Sequence, residues 1–207
     1  MIPQNRWTAW WGDNLVHLDV DKCSIIDKLT GKEKTLLTVE QFNKWAGNTQ
    51  EARLLTLADA SFPYPDKPVI MVEYAHLRQL FNFKTHKIVW TQSTQGFSHS
   101  DWNATSKATA YVNPDDYQLH VIDANGNDHQ VSTDASRNIL YGQSVHQNEF
   151  GYTKGTFFSP DGMKLAFTRM DQSMVPDYPL VDIPEPEYEP ESGTRMAKPA
   201  PVKYPMA

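Results

Sequence analysis

Short β-leaning segments alternate with polar turns along most of the chain, and this alternation constrains the fold more than any other feature. The repeated order is strand, strand, turn, strand, from Trp7 to about Asp182. Aligned turns fall at Gly31, His86 and Gly126, with separations of 55 and 40 residues. These separations bracket the roughly 40–50-residue period of propeller blades. The pattern predicts an all-β fold, and a β-sandwich of similar strand count is the alternative.

Nine strands can be placed from runs of branched and aromatic residues bounded by turn residues. They form three sets, each ending in a strand that follows a polar turn. The predicted strands are 15–18, 23–27, 34–37, 69–73, 79–83, 88–90, 108–112, 117–123 and 129–132.

One short helix is predicted between two of these sets. Thr38 and Gln41 have the spacing of a capping box, Phe42 and Trp45 share one helical face, and Gly47 can end the helix. The sequence therefore predicts a short inter-blade helix.

A β-hairpin is predicted near the C-terminal third of the chain. Two β-leaning runs, residues 155–158 and 164–167, are joined by Ser159-Pro160-Asp161-Gly162. Proline presets φ and glycine tolerates positive φ, so this tetrapeptide favours a tight turn.

Composition excludes some functions and leaves others open. The 207 residues carry a net charge of −6 without a Lys/Arg run, which disfavours a nucleic-acid partner. The one cysteine, Cys23, cannot form an internal disulfide and is interpreted as a half-buried strand residue. Residues 1–6 lack the order of a signal peptide, and no apolar run is long enough to cross a bilayer.

Catalytic and metal-binding motifs are not found in these residues. A G-x-S-x-G elbow would present a nucleophile, but the runs around Ser98 and Ser144 both break at their last position. The seven histidines lack the H-x-x-x-H and H-E-x-x-H spacings, so we predict no metal site and no cofactor. Trp7, Trp10 and Trp11 form an aromatic cluster that is interpreted as propeller core and closure residues, with a carbohydrate or ligand platform as the alternative.

Four segments resemble the N-terminal β-propeller of the dipeptidyl peptidase IV family of serine peptidases, including bacterial prolyl tripeptidyl peptidases. They are VHQNEFG at 145–151, KGTFFSPDGMKLAF at 154–167, RMDQSMV at 169–175 and KYPMA at 203–207. The resemblance implies an incomplete β-propeller of three to four blades of four-stranded antiparallel sheet. It assigns residues 1–183 to the partial propeller, 184–201 to a Pro/Glu-rich extended excursion and 202–207 to the start of the next strand.

The resemblance also implies roles for particular residues. Glu149 takes the position of the family glutamate that binds the α-amino group of a peptide substrate. Asn148 stands where many members carry a second glutamate, and it could add a neutral hydrogen bond. Arg169 and Asp171 lie two apart, on one face of a strand, and are predicted to pair and to support the loop that bears Glu149.

The expected function is therefore that of the propeller portion of an exported serine exopeptidase that releases di- or tripeptides after proline. The expected partners are peptides with a free N-terminus, a C-terminal α/β-hydrolase domain carrying the catalytic residues, and possible second copies in a homodimer. That catalytic domain is expected to be absent from this chain, which should be inactive alone. The parent protein is expected in the periplasm, at the cell surface or in the medium. A non-catalytic propeller-like binding or scaffold module is the alternative.

Overall fold

Antiparallel β-sheets make up nearly all of the regular structure. A computed structural model describes residues 7–143, 154–182 and 198–203. The chain divides into two compact units, Met1–Gly96 and Phe97–Ala207. Strand pairs throughout the described residues are antiparallel, and one short helix interrupts them. The predicted all-β class with meander sheets of the propeller-blade type is confirmed.

The first unit contains two meander sheets and the helix. One sheet has the order β1-β2-β3-β4 and the other the order β5-β6-β7, and a single bridge from Ser61 to Met71 adds a further segment beside β5. The elements are β1 (Trp7–Trp11), β2 (Asn14–Leu18), β3 (Lys22–Ile26), β4 (Glu33–Thr38), α1 (Val39–Ala46), β5 (Val69–Tyr74), β6 (Leu77–Asn82) and β7 (Lys87–Ser93).

The helix α1 begins and ends where the sequence predicts. The Thr38 hydroxyl accepts a hydrogen bond from the Gln41 backbone N–H, and the Gln41 side chain accepts one from the Thr38 N–H, each at 3.1 Å. Gly47 follows the helix with φ of 71°, the left-handed conformation that glycine adopts without strain. Phe42 is fully buried and meets Phe81 edge-on at 5.1 Å between ring centroids, so the helix is both capped and packed.

The core of the first unit is built from alternate strand positions. Val16, Leu18 and Cys23 point to the same side of their sheet as judged from the strand register, and all are buried. Burial is complete for Cys23, so the half-buried interpretation was wrong. Desolvation raises the pKa of its thiol to about 12. The thiol therefore stays protonated and is unsuited to nucleophilic or redox chemistry.

The three tryptophans of β1 have different surroundings. Trp11 packs against Phe62 and Phe83, and its indole N–H donates to the Lys67 carbonyl at 2.8 Å. The core interpretation is correct for Trp11. Trp7 and Trp10 are 54% and 67% exposed, so they are not core residues, and a role in propeller closure stays a prediction for them.

The second unit contains a four-stranded sheet of order β11-β10-β9-β8 and four two-stranded pairs, β12-β15, β13-β14, β16-β19 and β17-β18. Its strands are β8 (Ser98–Trp102), β9 (Thr109–Val112), β10 (Leu119–Ile122), β11 (Asp128–Gln130), β12 (Ile139–Tyr141), β13 (Thr156–Phe158), β14 (Leu165–Phe167), β15 (Arg169–Asp171), β16 (Asp177–Tyr178), β17 (Val181–Asp182), β18 (Lys198–Pro199) and β19 (Val202–Lys203).

The predicted hairpin is formed by β13 and β14. Its turn closes through the Ser159 N–H, which donates to the Lys164 carbonyl at 2.8 Å, and Gly162 has a φ of 71°. The turn is docked on the β8–β9 connection, because the Asn103 side-chain amide donates to the Ser159 carbonyl at 3.1 Å. The Thr105 hydroxyl donates to the Pro160 carbonyl at the same distance.

We expect Gly162→Ala to lower the free energy of unfolding more than Gly126→Ala does. Both glycines have positive φ, so both variants share the strain of about 1–2 kcal/mol in the left-handed region. A methyl group at Gly162 would also lie 2.6 Å from Asn103 Oδ1, whereas one at Gly126 meets no atom within 4 Å. The clash should add about 1–3 kcal/mol, measured by urea unfolding. Equal losses in the two variants would contradict the docking of the turn.

Candidate functional site

The predicted amine-binding residues lie in a segment whose base the structure describes. Glu149 and Asn148 themselves are outside the described residues, because the described chain stops at Gln143 and resumes at Lys154. The candidate site can therefore be built from the residues that hold Gln143 and Lys154 in place.

Three backbone hydrogen bonds form a closed ring at this base. The Gly142 N–H donates to the Thr168 carbonyl at 3.0 Å, the Thr168 N–H donates to the Gly155 carbonyl at 2.9 Å, and the Gly155 N–H donates to the Gly142 carbonyl at 2.9 Å. Each residue gives one hydrogen bond and receives one. We call this arrangement the backbone ring. It joins the ends of β12, β13 and β15 at one point, so the two ends of the segment start from neighbouring positions.

Both glycines of the backbone ring are required by its geometry. Gly142 has a φ of 63°, which disfavours other residues. At Gly155 a methyl group would collide with Thr168 Oγ1 and would lie 2.6 Å from the carbonyl oxygen of Gln143. The backbone ring therefore closes only because these two positions lack side chains.

The Thr168 side chain strengthens the same base. Its hydroxyl donates to the Gln143 carbonyl at 2.7 Å and lies 3.4 Å from the Gly155 carbonyl oxygen. Gln143 is the last described residue before the segment. One side chain thus connects the entering backbone to the returning backbone.

Lys154, the first residue described after the segment, is held by an ion pair. Its ammonium lies 2.6 Å from a carboxylate oxygen of Asp101 on β8, and it also lies 5.4 Å from the centre of the Phe157 ring. Only 12% of the Asp101 side chain is exposed. A partly buried carboxylate keeps a strong preference for a paired cation, so this ion pair fixes the returning end.

The predicted support residue Arg169 binds a partner that the sequence did not suggest. Its guanidinium donates to Asp134 Oδ2 at 2.6 Å and to the Tyr141 hydroxyl oxygen at 3.0 Å. The Tyr141 hydroxyl in turn donates to Asp134. These hydrogen bonds, first from Tyr141 and then from Arg169, lower the pKa of Asp134. Hydrogen bonding to Asp134 raises the pKa of Tyr141.

Asp171 has a different role from the predicted one. Its carboxylate accepts hydrogen bonds from the backbone N–H of Ser173, at 2.9 Å, and from the Ser173 hydroxyl. These bonds lower the pKa of Asp171, and the charge of Arg169 adds a smaller contribution. The structure therefore replaces the expected Arg169–Asp171 pair with two separate interactions, Arg169 with Asp134 and Asp171 with Ser173. The register explains the change, since Arg169 lies opposite Tyr141 and Asp171 lies opposite Ile139.

The far end of the β12–β15 pair is also held by a charged contact. Arg137 makes two hydrogen bonds to the Asp177 carboxylate, at 2.9 and 3.0 Å, and a third to the Pro201 carbonyl at 3.0 Å. The Gln172 side chain donates to the Arg137 carbonyl at 2.8 Å. The strand pair that carries Arg169 is thus secured at both ends.

Two other candidate sites lie in the described residues, a cleft in the first unit and a serine on β8, and local structure accounts for both. A cleft of about 590 Å³ in the first unit is bounded by an apolar row of Trp10, Leu15 and Ile26. The carboxylate of Asp27 in the same cleft is occupied by the Thr30 hydroxyl and backbone N–H. Ser98, one of the two serines in elbow-like runs, lies on β8 at the sheet edge, and Ser144 is outside the described residues.

The described residues hold neither a cluster of metal-ligating side chains nor a membrane-spanning helix. None of their His, Cys, Asp and Glu side chains come together in a group of three or more that could hold a metal ion. No helix among them has the length and apolar character needed to cross a membrane.

Several residues at the base of the segment were missed by sequence reasoning. Asp101, Asp134 and Thr168 are held in the site by contacts with residues 25 or more positions away in the chain. Gly142 and Gly155 gave the available signal, because glycines flanking a segment often mark a close approach of two backbones.

The amino-acid sequence of this chain matches a known protein family over most of its length. Residues 72–207 match the family described as the dipeptidyl peptidase IV (DPP IV) N-terminal region. The match covers more than half of the chain, so the chain belongs to this family.

Among solved structures, the chain is similar to a Bacteroides ovatus ATCC 8483 protein described as a "putative dipeptidyl aminopeptidase IV". The two are 37% identical with a TM-score of 0.80, and the similarity covers 99% of this chain. The chain spans 27% of that protein's length. A structure of the Mitotic Checkpoint Complex is 11% identical, over 77% of this chain and 41% of the other chain. Its TM-score of 0.36 is too low to indicate a shared fold.

We expect Asp134→Asn to make stability less dependent on acid pH. The folded-state pKa of Asp134 lies below its ordinary value of 3.8. Its contribution is therefore present above about pH 4 and is lost as the pH falls through the folded-state pKa. The variant should melt below the wild type at pH 7, and the difference should shrink below about pH 4.

Thermal melts from pH 2 to 7 measure this difference, and the same substitution in an Arg169→Met background is the control. There the effect of pH should be smaller, because Arg169 supplies part of the shift. A pH-independent difference would contradict the assignment.

Proposed function

We propose that this chain forms the substrate-selecting β-propeller wall of a serine exopeptidase that releases di- or tripeptides after proline. Within it, Glu149 binds the α-amino group of the substrate. Membership of the DPP IV N-terminal family supports the proposal, as does the similarity of nearly the whole chain to the Bacteroides ovatus protein. The main structural support for the proposal is the base of the segment that bears Glu149, which consists of the backbone ring, the Thr168 hydroxyl and the Lys154–Asp101 ion pair.

The base limits where Glu149 can reach. Twelve residues separate Gly142 from Gly155, and Glu149 lies near the middle of them in sequence. Six residues of extended chain span at most about 20 Å, so Glu149 stays within that distance of the backbone ring. A carboxylate on a segment with both ends secured meets a ligand group at lower entropic cost than one on a free loop.

Two cations at the described base are already paired. Lys154 is bound to Asp101, and Arg169 is bound to Asp134. These pairs reduce competition for the Glu149 carboxylate from within the protein. A substrate ammonium would then gain a charge-assisted hydrogen bond of about 1.5–3 kcal/mol. Asn148 would contribute a neutral hydrogen bond.

The proposed function also implies substrates, a catalytic domain and a cellular location. Peptides with a free N-terminus and proline near it are the substrates, and an α/β-hydrolase domain of the same protein supplies the catalytic residues. A homodimer is a further proposed partner arrangement. The family resemblance also leads us to propose that the protein works in the periplasm, at the cell surface or in the medium.

We expect Glu149→Gln in the full-length protein to lower the preference for free-amine substrates by about ten- to a hundredfold. The measurement compares kcat/KM for an X-Pro p-nitroanilide, or an X-Y-Pro p-nitroanilide, with that for the matching substrate lacking the α-amino group. Whichever chain length is cleaved faster also sets the register.

Asn148→Ala is the matched control for this experiment. It should reduce the same preference by only about two- to tenfold, because it removes a neutral hydrogen bond. An unchanged preference in Glu149→Gln would refute the amine-binding role. A full-length protein without any peptidase activity would favour the non-catalytic binding module instead.

A further inference from the structure

We propose that Asn125, in the turn between β10 and β11, is a site of spontaneous deamidation whose isoaspartate product releases β11 from its sheet. The reactants are the side-chain amide of Asn125, the backbone nitrogen of Gly126 and water. Both residues lie in the described part of the chain, and the reaction does not depend on the proposed function.

The chemistry is an intramolecular attack followed by hydrolysis. The Gly126 nitrogen loses its proton to solvent and bonds to the side-chain carbonyl carbon of Asn125. The bond from that carbon to the amide nitrogen breaks, and this nitrogen takes a proton from solvent and leaves as ammonia. Because the reacting groups belong to adjacent residues, the attack is unimolecular.

Water then opens the cyclic imide in one of two ways. Addition at the side-chain carbonyl carbon gives aspartate. Addition at the main-chain carbonyl carbon gives isoaspartate, in which the backbone runs through the methylene of the former side chain. The second product therefore has a longer backbone at position 125 as well as a new carboxylate.

The Asn125 side chain is free to react. It is exposed, and only the backbone N–H of this residue makes a hydrogen bond within the described residues, to Asp123 Oδ1 at 2.8 Å. Asparagines in other turns use their side-chain oxygens to accept backbone N–H groups, a role that occupies the amide. They are Asn82, Asn103 and Asn113.

The backbone nitrogen of Gly126 is unshielded. Gly126 has a φ of 87°, and a methyl group at its Cα would meet no atom within 4 Å. Its N–H donates to the Asp123 carbonyl at 3.1 Å, and this bond must open before the nitrogen can attack. A single hydrogen bond in an exposed turn opens by local fluctuation without unfolding of the sheet.

Two other asparagines each lack one of these conditions. Asn138 is exposed, and its side chain makes no hydrogen bond within the described residues, but the next residue is the β-branched Ile139, which crowds the attacking nitrogen. The Asn127 side chain donates to Asp123 Oδ2 at 2.9 Å, so its amide is held in place. Asn125 combines a free amide with an unshielded nitrogen.

The strand β11 depends on the turn that contains Asn125. β11 is an exposed three-residue strand at the edge of its sheet. The Asp123 N–H donates to the Asn127 carbonyl at 3.0 Å, and the Asp123 carboxylate accepts from the N–H groups of Asn125 and Asn127. Hairpin loops accept only particular backbone geometries, so the added methylene of isoaspartate is incompatible with keeping all of these bonds.

The new carboxylate also acts against the turn. Hydrogen bonds from Asn127, first from its side chain and then from its backbone, lower the pKa of Asp123 to about 2. The Asp123 carboxylate is therefore charged at neutral pH, and a second carboxylate at position 125 would repel it.

Release of β11 would open a buried polar cluster. Asp128 on β11 lies 2.9 Å from His120 Nδ1 and accepts a hydrogen bond from the Tyr111 hydroxyl at 3.2 Å. His120 and Tyr111 are both buried. Loss of Asp128 would leave these two polar groups without this partner, so a change in the exposed turn reaches the inner strands of the sheet.

The test incubates the full-length protein at pH 8 and 37 °C and locates deamidation by mass spectrometry of its peptides. We expect Asn125 to react at least about tenfold faster than Asn127 or Asn138, with isoaspartate at position 125 detected by enzymatic methylation of its carboxylate. Fresh protein digested in the same way corrects for reaction during digestion.

Release of β11 is measured by hydrogen exchange of the amides of residues 128–131. In the molecules that carry isoaspartate, we expect exchange at least about tenfold faster than in fresh protein. Asn125→Gln, incubated in the same way, is the matched control, because it keeps an exposed amide but would have to form a larger ring. Asn125→Asp adds the charge without lengthening the backbone, and its exchange should change less than about threefold.

Two results would overturn the inference. Deamidation at Asn125 that is no faster than at Asn138 would exclude the modification site. Isoaspartate at position 125 with unchanged exchange of residues 128–131 would exclude the release of β11.

Discussion

The backbone ring of Gly142, Gly155 and Thr168 is the constraint on which the rest of the candidate site depends. Its residues directly follow β12 and directly precede β13 and β15, and each contributes one donor and one acceptor. Because the three hydrogen bonds close on one another, the ring joins residues 13 or more positions apart in the chain into one unit. Its cost is two glycine positions, where side chains would be strained or would collide.

Charged pairs then secure the surroundings of the ring. The partly buried Asp101 holds Lys154 on one side, and Asp134 holds Arg169 on the other. The Arg169–Asp134 pair is exposed on both sides and contributes little to stability by itself. The effect of the two pairs on local charge is larger, since each neutralises a cation at the base. In the proposed function, these two cations would compete less for the Glu149 carboxylate.

Local sequence signals predicted the parts of the fold that local contacts determine. The capping box of Thr38 and Gln41 and the hairpin turn at Gly162 depend on residues a few positions apart, and both are present. Arg169 is the contrasting case. Its neighbour in sequence, Asp171, was the obvious partner, but the strand register brings in Asp134, which is 35 residues away. The packing of Trp11 likewise depends on Phe62 and Phe83, which sequence spacing does not locate.

In the proposed function, Asn148 stands where the resemblance predicts a second glutamate, and this makes the geometry of the base more important. With two carboxylates, an ammonium group can be attracted from a range of positions, because Coulomb attraction falls slowly with distance. With one carboxylate and one amide, binding depends more on hydrogen bonds, whose strength falls steeply with misalignment. Amine binding by a segment with one carboxylate would therefore depend more on how firmly the base holds the two ends of that segment. If Glu149 binds the substrate amine as proposed, the backbone ring and the Thr168 hydroxyl hold the described ends from which its segment starts.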